Sequence, residues 1–250
     1  SAVIGDGVTD IGDWAFSDCT GLTDVALGKG VTSIGFFAFQ KCTGLTTLTV
    51  DPFNSVYSSV AGVLFNADQT ALILYPKGRT GRYVLPDGVA MIAEYAFADC
   101  SNLTNVTISA DVKNIAASAF SHCTGLTNFT VPNGVDTIGA YAFYGCSGLT
   151  NATLGNSVAY LGESAFSFCT SLGSINIPRG LAIIGASTFS YCTGLTGIAI
   201  PDNITDIGGG VFSECTDLTN VTIPNSVTRI GDGAFSGCTS LTDITIPERV

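Results

Sequence analysis

Residues 227–249 read VTRIGDGAFSGCTSLTDITIPER, and variants of this 23-residue phrase run through most of the 250-residue chain. The phrase has the form V-T-x-I-G-x-x-A-F-x-x-C-T-x-L-T-x-x-T-I-P-x-x. Its copies begin at Val8, Val31, Val89, Val112, Val135, Val158, Leu181, Ile204 and Val227. One copy is too short to bury its own apolar side, so the copies must stack on one another as a solenoid.

The cysteines follow the same period. They lie at Cys19, Cys42, Cys100, Cys123, Cys146, Cys169, Cys192, Cys215 and Cys238, and every interval is 23 residues except the 58 between the second and the third. A zinc site needs closely spaced ligands, and a disulfide framework normally has an even count with irregular spacing, so neither fits. The period predicts reduced thiols buried as a ladder in the core, because free cysteine packs as a small hydrophobe.

Spacing within the phrase predicts its local structure. In residues 103–108, apolar Val106 and Ile108 alternate with polar Asn105 and Thr107, which indicates a strand with one solvent-facing side. A period in the twenties with a recurring leucine and a short strand is typical of a leucine-rich repeat. We therefore predict a right-handed superhelix with a parallel sheet on one face. Short strands, turns and short helical segments are expected elsewhere, with the Ala-Phe segment forming a short helix or turn.

Two further positions of the phrase carry predictions about packing. The recurring phenylalanine is expected to be the deepest anchor of each unit; it stands at Phe16, Phe39, Phe97, Phe120, Phe143, Phe166, Phe189, Phe212 and Phe235. The residue after the isoleucine is glycine in seven units but Ala93 and Ala116 in two. That variation predicts close packing at this position rather than a positive φ.

The chain is expected to be a single solenoid over residues 1–250, with a truncated unit at 1–7 and regular units at 8–53 and 89–249. The unit at 54–88 has 35 residues instead of 23. Within it, Val63–Phe65 and Leu72–Tyr75 flank residues 66–70 as a hairpin that projects from, or pads, one flank. Because the array is cut within a repeat at both ends, we expect it to be a piece of a longer protein.

Composition and motifs exclude several classes of function. With 20 acidic and 9 basic residues the net charge is −11, which disfavours nucleic acid as a partner. No window of about 18 apolar residues occurs, so no transmembrane segment is expected in this stretch. The one histidine, His122, lies in a variable slot without a partner nucleophile, and no phosphate-binding, cofactor or metal motif is present. The sequence predicts no catalytic residue, no cofactor and no enzyme.

The units closely resemble the BspA-like leucine-rich repeats of bacterial and protist surface proteins. The irregular unit also resembles a recurrent interruption of that family, in Tyr57-Ser58-Ser59, residues 62–66 and Tyr75-Pro76. Ala61 stands where family members commonly have an acidic residue. The resemblance implies a secreted or surface-displayed solenoid, often linked to adhesion to host matrix or other cells. It identifies no ligand, because a fold does not define a function.

Large aromatic side chains occupy variable slots around the Ala-Phe-x-x-Cys segment, where other units have Gly, Ser or Asp. They are Trp14, Phe36, Phe37, Tyr95, Tyr141, Tyr144, Phe168 and Tyr191. Tyr144, Phe168 and Tyr191 fall in nearly equivalent slots of consecutive units, with Tyr141 one turn away. We expect these four to form a continuous strip that binds a partner. The alternative is that the rings lie over neighbouring coils and shield them, which would leave the Asn-x-Thr side of the sheet as the interface.

Two functions remain open at this point. The first is an extracellular or cell-surface interaction and adhesion module that recognises a protein or glycan on a host or neighbouring cell. The second is a structural spacer or self-assembling scaffold, with possible end-to-end association of solenoids. Six glycosylation sequons, at Asn102, Asn105, Asn128, Asn151, Asn203 and Asn220, arise largely from the repeat phrase itself.

Overall fold

A computed structural model describes all residues, Ser1–Val250, as 22 short β-strands joined by turns, without a helix. The strands are β1 (Ala2–Ile4), β2 (Asp10–Ile11), β3 (Asp24–Leu27), β4 (Ser33–Ile34), β5 (Thr47–Val50), β6 (Tyr57–Val60), β7 (Val63–Asn66), β8 (Ala71–Leu74), β9 (Gly81–Val84), β10 (Met91–Ile92), β11 (Leu103–Thr107), β12 (Asn114–Ile115), β13 (Asn128–Thr130), β14 (Thr137–Ile138), β15 (Asn151–Thr153), β16 (Tyr160–Leu161), β17 (Ser174–Ile175), β18 (Ile183–Ile184), β19 (Gly197–Ala199), β20 (Asp206–Ile207), β21 (Asn220–Thr222) and β22 (Arg229–Ile230).

Each regular unit except the last, 227–249, places one strand on each of two faces of the solenoid. On the first face, the Leu-Thr strands of successive units pair in parallel, as in β1-β3-β5 and β13-β15-β17. On the second face, the two-residue Thr-x-Ile strands pair in parallel, as in β10-β12-β14-β16. Paired residues are 23 apart in sequence, for example Asn128 with Asn151. The parallel solenoid predicted from the period is therefore confirmed.

The Ala-Phe-x-x-Cys segments stack as a third side, which we call the turn edge. The N–H groups of Ala142, Tyr144 and Cys146 close turns by donating to the carbonyl three residues earlier. The N–H groups of Tyr141, Phe143 and Gly145 instead donate to the next unit, at 2.7–2.9 Å. Because every second N–H points to the next unit, the segment cannot form the continuous bonding of a helix. The expectation of short helical segments is wrong.

Phenylalanine and cysteine form two parallel ladders in the core. Seven of the nine repeat phenylalanines are buried, and neighbouring rings are stacked, as for Phe120 and Phe143 with centroids 5.1 Å apart. Seven cysteine thiols donate to the phenylalanine carbonyl of the preceding unit at 3.0–3.2 Å. All nine cysteines are unpaired thiols. The buried ladder is confirmed for seven of them, whereas Cys19 is exposed and Cys238 is half-buried.

We expect the seven buried thiols to react with a thiol reagent only on unfolding, whereas Cys19 reacts at once in the native protein. Burial raises the pKa of Cys100 and Cys215 to about 12. Thiolate, the reactive form, is therefore scarce at pH 8, and the thiols are also out of contact with reagent. Mass spectrometry of alkylated protein with and without urea measures this. Fast native labelling of Cys123 or Cys169 would contradict the ladder.

Close packing explains the glycine that follows the isoleucine. A Cβ added at Gly162 would lie 2.3 Å from the main-chain nitrogen of Ala140 in the preceding unit, and one at Gly139 would lie 2.5 Å from that of Ala117. Neither glycine has a positive φ. The position therefore requires a small residue because adjacent coils touch there.

The irregular unit enters the solenoid as an antiparallel meander. Strands β6, β7 and β8 pair antiparallel in sequence order, and β8 then pairs in parallel with β10 of the next regular unit. Val63, Phe65 and Leu72 are buried in the larger hydrophobic cluster, while Leu64 is buried in the smaller cluster of the first two regular units. The hairpin thus pads the core and joins its two parts.

The β6–β7 turn has a residue poorly suited to its conformation. Ala61 and Gly62 both have positive φ, at 48° and 79°, in a two-residue turn of the kind that favours Asn-Gly. We expect Ala61→Asn to raise the free energy of unfolding by about 0.5–1 kcal/mol, because asparagine tolerates the left-handed conformation better than alanine. Urea unfolding measures the change. Ala67→Asn, at an exposed turn residue without positive φ, is the control and should not stabilise.

Candidate interaction surface on the turn edge

The turn edge holds two residues of every regular unit in the left-handed conformation, one five residues before the cysteine and one directly before it. Tyr141, Phe168 and Tyr191 occupy such positions, with φ of 58–60°. Other units use glycine there, at Gly145, Gly210, Gly233 and Gly237. A side chain in this conformation costs about 1–2 kcal/mol relative to glycine. The backbone therefore gives no reason for a large ring at these positions.

The four predicted site residues lie together on this edge, and we call them the aromatic row. The rings of Phe168 and Tyr191 stack with centroids 4.4 Å apart. Tyr144 lies 5.3 Å from Phe168, and Tyr141 lies 5.8 Å from Tyr144. Tyr141, Phe168 and Tyr191 are 38–41% exposed, and Tyr144 is half-buried. The row therefore presents large apolar surface to solvent.

His122 continues the aromatic row at one end. Its ring meets Tyr144 edge-on at 5.4 Å. It also lies over Gly145, where an added Cβ would be 2.7 Å from its Nδ1 atom, so glycine in the next unit leaves room for the imidazole in this position. The imidazole is exposed, and its contacts are with the row rather than with a hydroxyl or carboxylate.

A second aromatic group lies on the turn edge at the irregular unit. Phe37 contacts Trp14 at 4.7 Å and Tyr95 at 4.6 Å between ring centroids. Phe36 is beside them and is 62% exposed. Trp14, Phe37 and Tyr95 all have positive φ, so they occupy the same position in their units as Tyr141.

A groove of about 690 Å³ is lined by Phe36, Phe37 and Tyr95 of this group and by Tyr141 and Tyr144 of the aromatic row. Its walls are the turn segments at residues 35–40 and 94–99, and Ile73, Leu74 and Lys77 line its floor. It exists because the irregular unit passes through the stack as the extended strand β8 and has no outward Ala-Phe-x-x-Cys turn. Sequence reasoning missed this groove, although the lack of that phrase in residues 54–88 was a visible signal.

One buried ion pair stands at the groove. The Lys77 ammonium is 2.9 Å from Asp99, and the lysine side chain is only 8% exposed. Asp13 and Glu94 also line the groove and form no ion pair. The groove is thus apolar on its floor and acidic at its rim.

The first face carries polar side chains in register. Asn128 and Asn151 are direct partners, as are Thr130 and Thr153, and Ser174 donates to Asn151 at 2.8 Å. These side chains are exposed to solvent. No group of three or more His, Cys, Asp or Glu side chains is placed to hold a metal ion. No segment forms a helix of the length and hydropathy needed to cross a membrane.

Stacked coils of one repeated phrase, with parallel strands on two faces and variable residues displayed on a turn edge, define a leucine-rich repeat solenoid. The family model for the BspA type leucine rich repeat region matches residues 1–67, 80–196 and 160–250, in six copies. The chain belongs to this family. Its fold is one that is typically non-catalytic and that suits protein interaction.

Solved structures of bacterial proteins share the fold. A leucine-rich repeat protein from Eubacterium ventriosum is 23% identical with a TM-score of 0.77, over 98% of this chain and 84% of that one. A leucine-rich repeat protein of T. pallidum is 29% identical with a TM-score of 0.58, over 77% and 79%. The pneumococcal vaccine antigen PcpA is 20% identical with a TM-score of 0.50, over 92% and 67%. No match was found among proteins with curated descriptions.

Proposed function

We propose that this chain is a non-catalytic interaction module, secreted or displayed at a cell surface, that adheres to a protein on a host or neighbouring cell. The partner docks on the turn edge through the aromatic row. Membership in a family of leucine-rich repeat surface proteins supports the location and the general role. The row supports the place of docking.

The observation that carries the proposal is that large exposed rings stand at positions that other units fill with small or polar residues. Tyr141, Phe168 and Tyr191 keep large rings at left-handed positions where glycine would relieve the backbone. Each ring is more than a third exposed, so the core does not require it either. Other units hold Ser118, Ser164 or Gly210 at the same left-handed positions, so the repeat does not require an aromatic side chain there. Tyrosine and phenylalanine also supply contact area at low entropic cost, as binding surfaces require.

Replacement of Tyr144, Phe168 and Tyr191 together by serine tests the proposal. Binding to immobilised host surface proteins should fall at least about tenfold, because interface rings of this size are typical binding hot spots. Phe53→Ser with Tyr160→Ser is the control, since both rings are exposed but lie away from the turn edge. If binding survives the triple change while thermal stability drops by many degrees, the rings only shield the coils and the interface belongs on the first face.

A structural role without a specific ligand is the competing function. Light scattering against protein concentration separates the two. Reversible growth of end-to-end assemblies, together with no binding to any surface protein, would favour a spacer or self-assembling scaffold.

A further inference from the structure

The turn edge is held by hydrogen bonds between neighbouring units, and this ladder is interrupted at the groove. In every consecutive pair of regular units, three N–H groups of one turn segment donate to three carbonyl groups of the next. The equivalent N–H groups of Phe37, Phe39 and Lys41 face the irregular unit, and they donate no hydrogen bond. Phe37 and Phe39 line the groove, so this wall carries two free donors, and the third, the N–H of Lys41, directly follows the lining segment 35–40.

The opposite wall carries free acceptors. Of its three equivalent carbonyl groups, only that of Ala96 accepts a backbone hydrogen bond, from Tyr75 at 2.8 Å. The carbonyl group of Glu94 accepts no hydrogen bond, and that of Ala98 accepts only a long one, from the Cys100 thiol at 4.0 Å. Residues 35–40 line the groove along their length, and Glu94, Tyr95, Ala98 and Asp99 line it from the opposite side. The two walls thus offer donors on one side and acceptors on the other.

An extended peptide matches this arrangement. Its carbonyl groups would accept from one wall and its N–H groups would donate to the other, as when a strand is added to an open sheet edge. Backbone N–H and C=O groups that are shielded by apolar side chains are almost always hydrogen-bonded in native structures. Pairing of the groove walls with a peptide is therefore favourable. The apolar floor of Ile73 and Leu74 would receive the inward side chains of the peptide.

Charge indicates which side chains the peptide carries. Asp13 and Glu94 at the groove have no ion-pair partner, and the lining ammonium of Lys77 is already bound to Asp99. The exposed ring of Phe36 and the half-buried ring of Tyr95 line the same groove as these carboxylates. Carboxylates beside aromatic faces suit arginine and lysine, through charge-assisted hydrogen bonds and cation–π contact. The net charge of −11 also attracts a basic segment.

We infer that the groove at the irregular unit binds an extended basic peptide segment of a partner protein, whose main chain completes the interrupted ladder. The inference rests on the proposed function in that both place binding on the turn edge. The two surfaces meet at Tyr141 and Tyr144, which line the groove, whereas Phe168 and Tyr191 of the aromatic row lie outside it and allow the two to be tested separately.

Amide hydrogen exchange measured by NMR tests the ladder directly. In the free protein, the amides of Phe37 and Lys41 should exchange at least about tenfold faster than the equivalent amides of Tyr141 and Gly145, which are bonded to the next unit. The probe is a synthetic heptapeptide of alternating threonine and arginine. At saturation it should slow exchange at Phe37 and Lys41 by about tenfold or more. It should leave unchanged the equivalent amides of Ser187 and Tyr191, which are bonded to the next unit and lie outside the groove.

Two comparison peptides separate main-chain docking from charge. N-methylation of the alternate amides that face the groove removes peptide donors and should weaken binding about tenfold. Glutamate in place of arginine should weaken it by a similar factor, through lost attraction and added repulsion. Equal binding of the N-methylated peptide, or no protection at about 1 mM of the arginine peptide, would overturn the inference.

Matched variants locate the charge and separate the two binding surfaces. Glu94→Gln should weaken the arginine peptide about threefold, whereas Glu163→Gln, at the same position of a regular unit, should not. Phe168→Ser with Tyr191→Ser should leave peptide binding unchanged, but it should weaken binding of the partner that docks on the aromatic row. If only the row variant has an effect and no peptide binds, the groove inference fails and the proposed function stands. If the arginine peptide binds and the row variant has no effect on partner binding, only the aromatic row is ruled out as a docking site.

Discussion

Phe143→Ala should lower the free energy of unfolding by about 3–5 kcal/mol, the usual loss for truncating a fully buried ring. Phe143 has no exposed surface, and its ring stacks on Phe120 at 5.1 Å and on Phe166 at 4.9 Å. Phe129 meets it edge-on at 4.6 Å. The variant removes contacts within three consecutive units, so the solenoid should also open locally around it. Urea unfolding and hydrogen exchange measure the two effects.

Two changes act as controls for Phe143→Ala. Phe143→Leu retains much of the volume and should cost distinctly less. Phe16→Ala removes a half-buried ring that stacks only on Phe39, at 5.3 Å, and should also cost less. If Phe143→Ala lowers stability by under about 1 kcal/mol, the phenylalanine ladder is not the anchor of the repeat.

Asp99→Asn should lower the free energy of unfolding by about 2 kcal/mol. The change leaves the Lys77 ammonium, whose side chain is 8% exposed, buried without its counter-charge at 2.9 Å. Breaking a fully buried pair costs about 3–5 kcal/mol, and we expect less because the Asp99 side chain is 33% exposed. Asparagine tolerates the left-handed φ of 60° at this position, so the backbone is unaffected.

A second aspartate–lysine ion pair, which is exposed to solvent, provides the control. Asp18 occupies the position of Asp99 in its own unit, and it lies 3.6 Å from Lys41 with both side chains about two-thirds exposed. Asp18→Asn should therefore change stability by no more than about 0.5 kcal/mol. Lys77→Met added to Asp99→Asn should recover most of the loss, because no buried charge remains. Equal effects of Asp99→Asn and Asp18→Asn would show that burial of Lys77 does not matter.

Much of this fold is predictable from the 23-residue period. Once copies stack, Phe120, Phe143 and Phe166 must superpose, and so must Cys123 and Cys146, because equivalent positions become direct neighbours. The expected helical segment was wrong for a reason that a single unit does not reveal. The N–H of Phe143 bonds to Ala165 of the next unit instead of to its own turn. An N–H of the turn edge can bond within its own unit or to the next unit. Which bond forms depends on how the units stack.

The aromatic row was also only partly predictable from the sequence. The slots of Tyr144, Phe168 and Tyr191 in consecutive units indicate that their rings are neighbours. Their exposure, and the left-handed backbone at Phe168 and Tyr191, follow from the path of the turn edge. The groove is harder to predict from the sequence. It depends on how β8 lies in the stack beside turn segments that are distant from it in sequence.

The sequence by itself determined the repeat, the identity of the buried ladders and the family, because periodic apolar residues must share one core once their copies stack. Tertiary structure alone decided which N–H groups bond between units, which rings remain exposed and where the ladder stops. The physical reason is that these properties belong to contacts between coils. At the irregular unit, the extended path of residues 71–77 leaves Phe37 and Glu94 facing a groove. No residue pattern within the two turn segments that carry Phe37 and Glu94 specifies that these segments are separated.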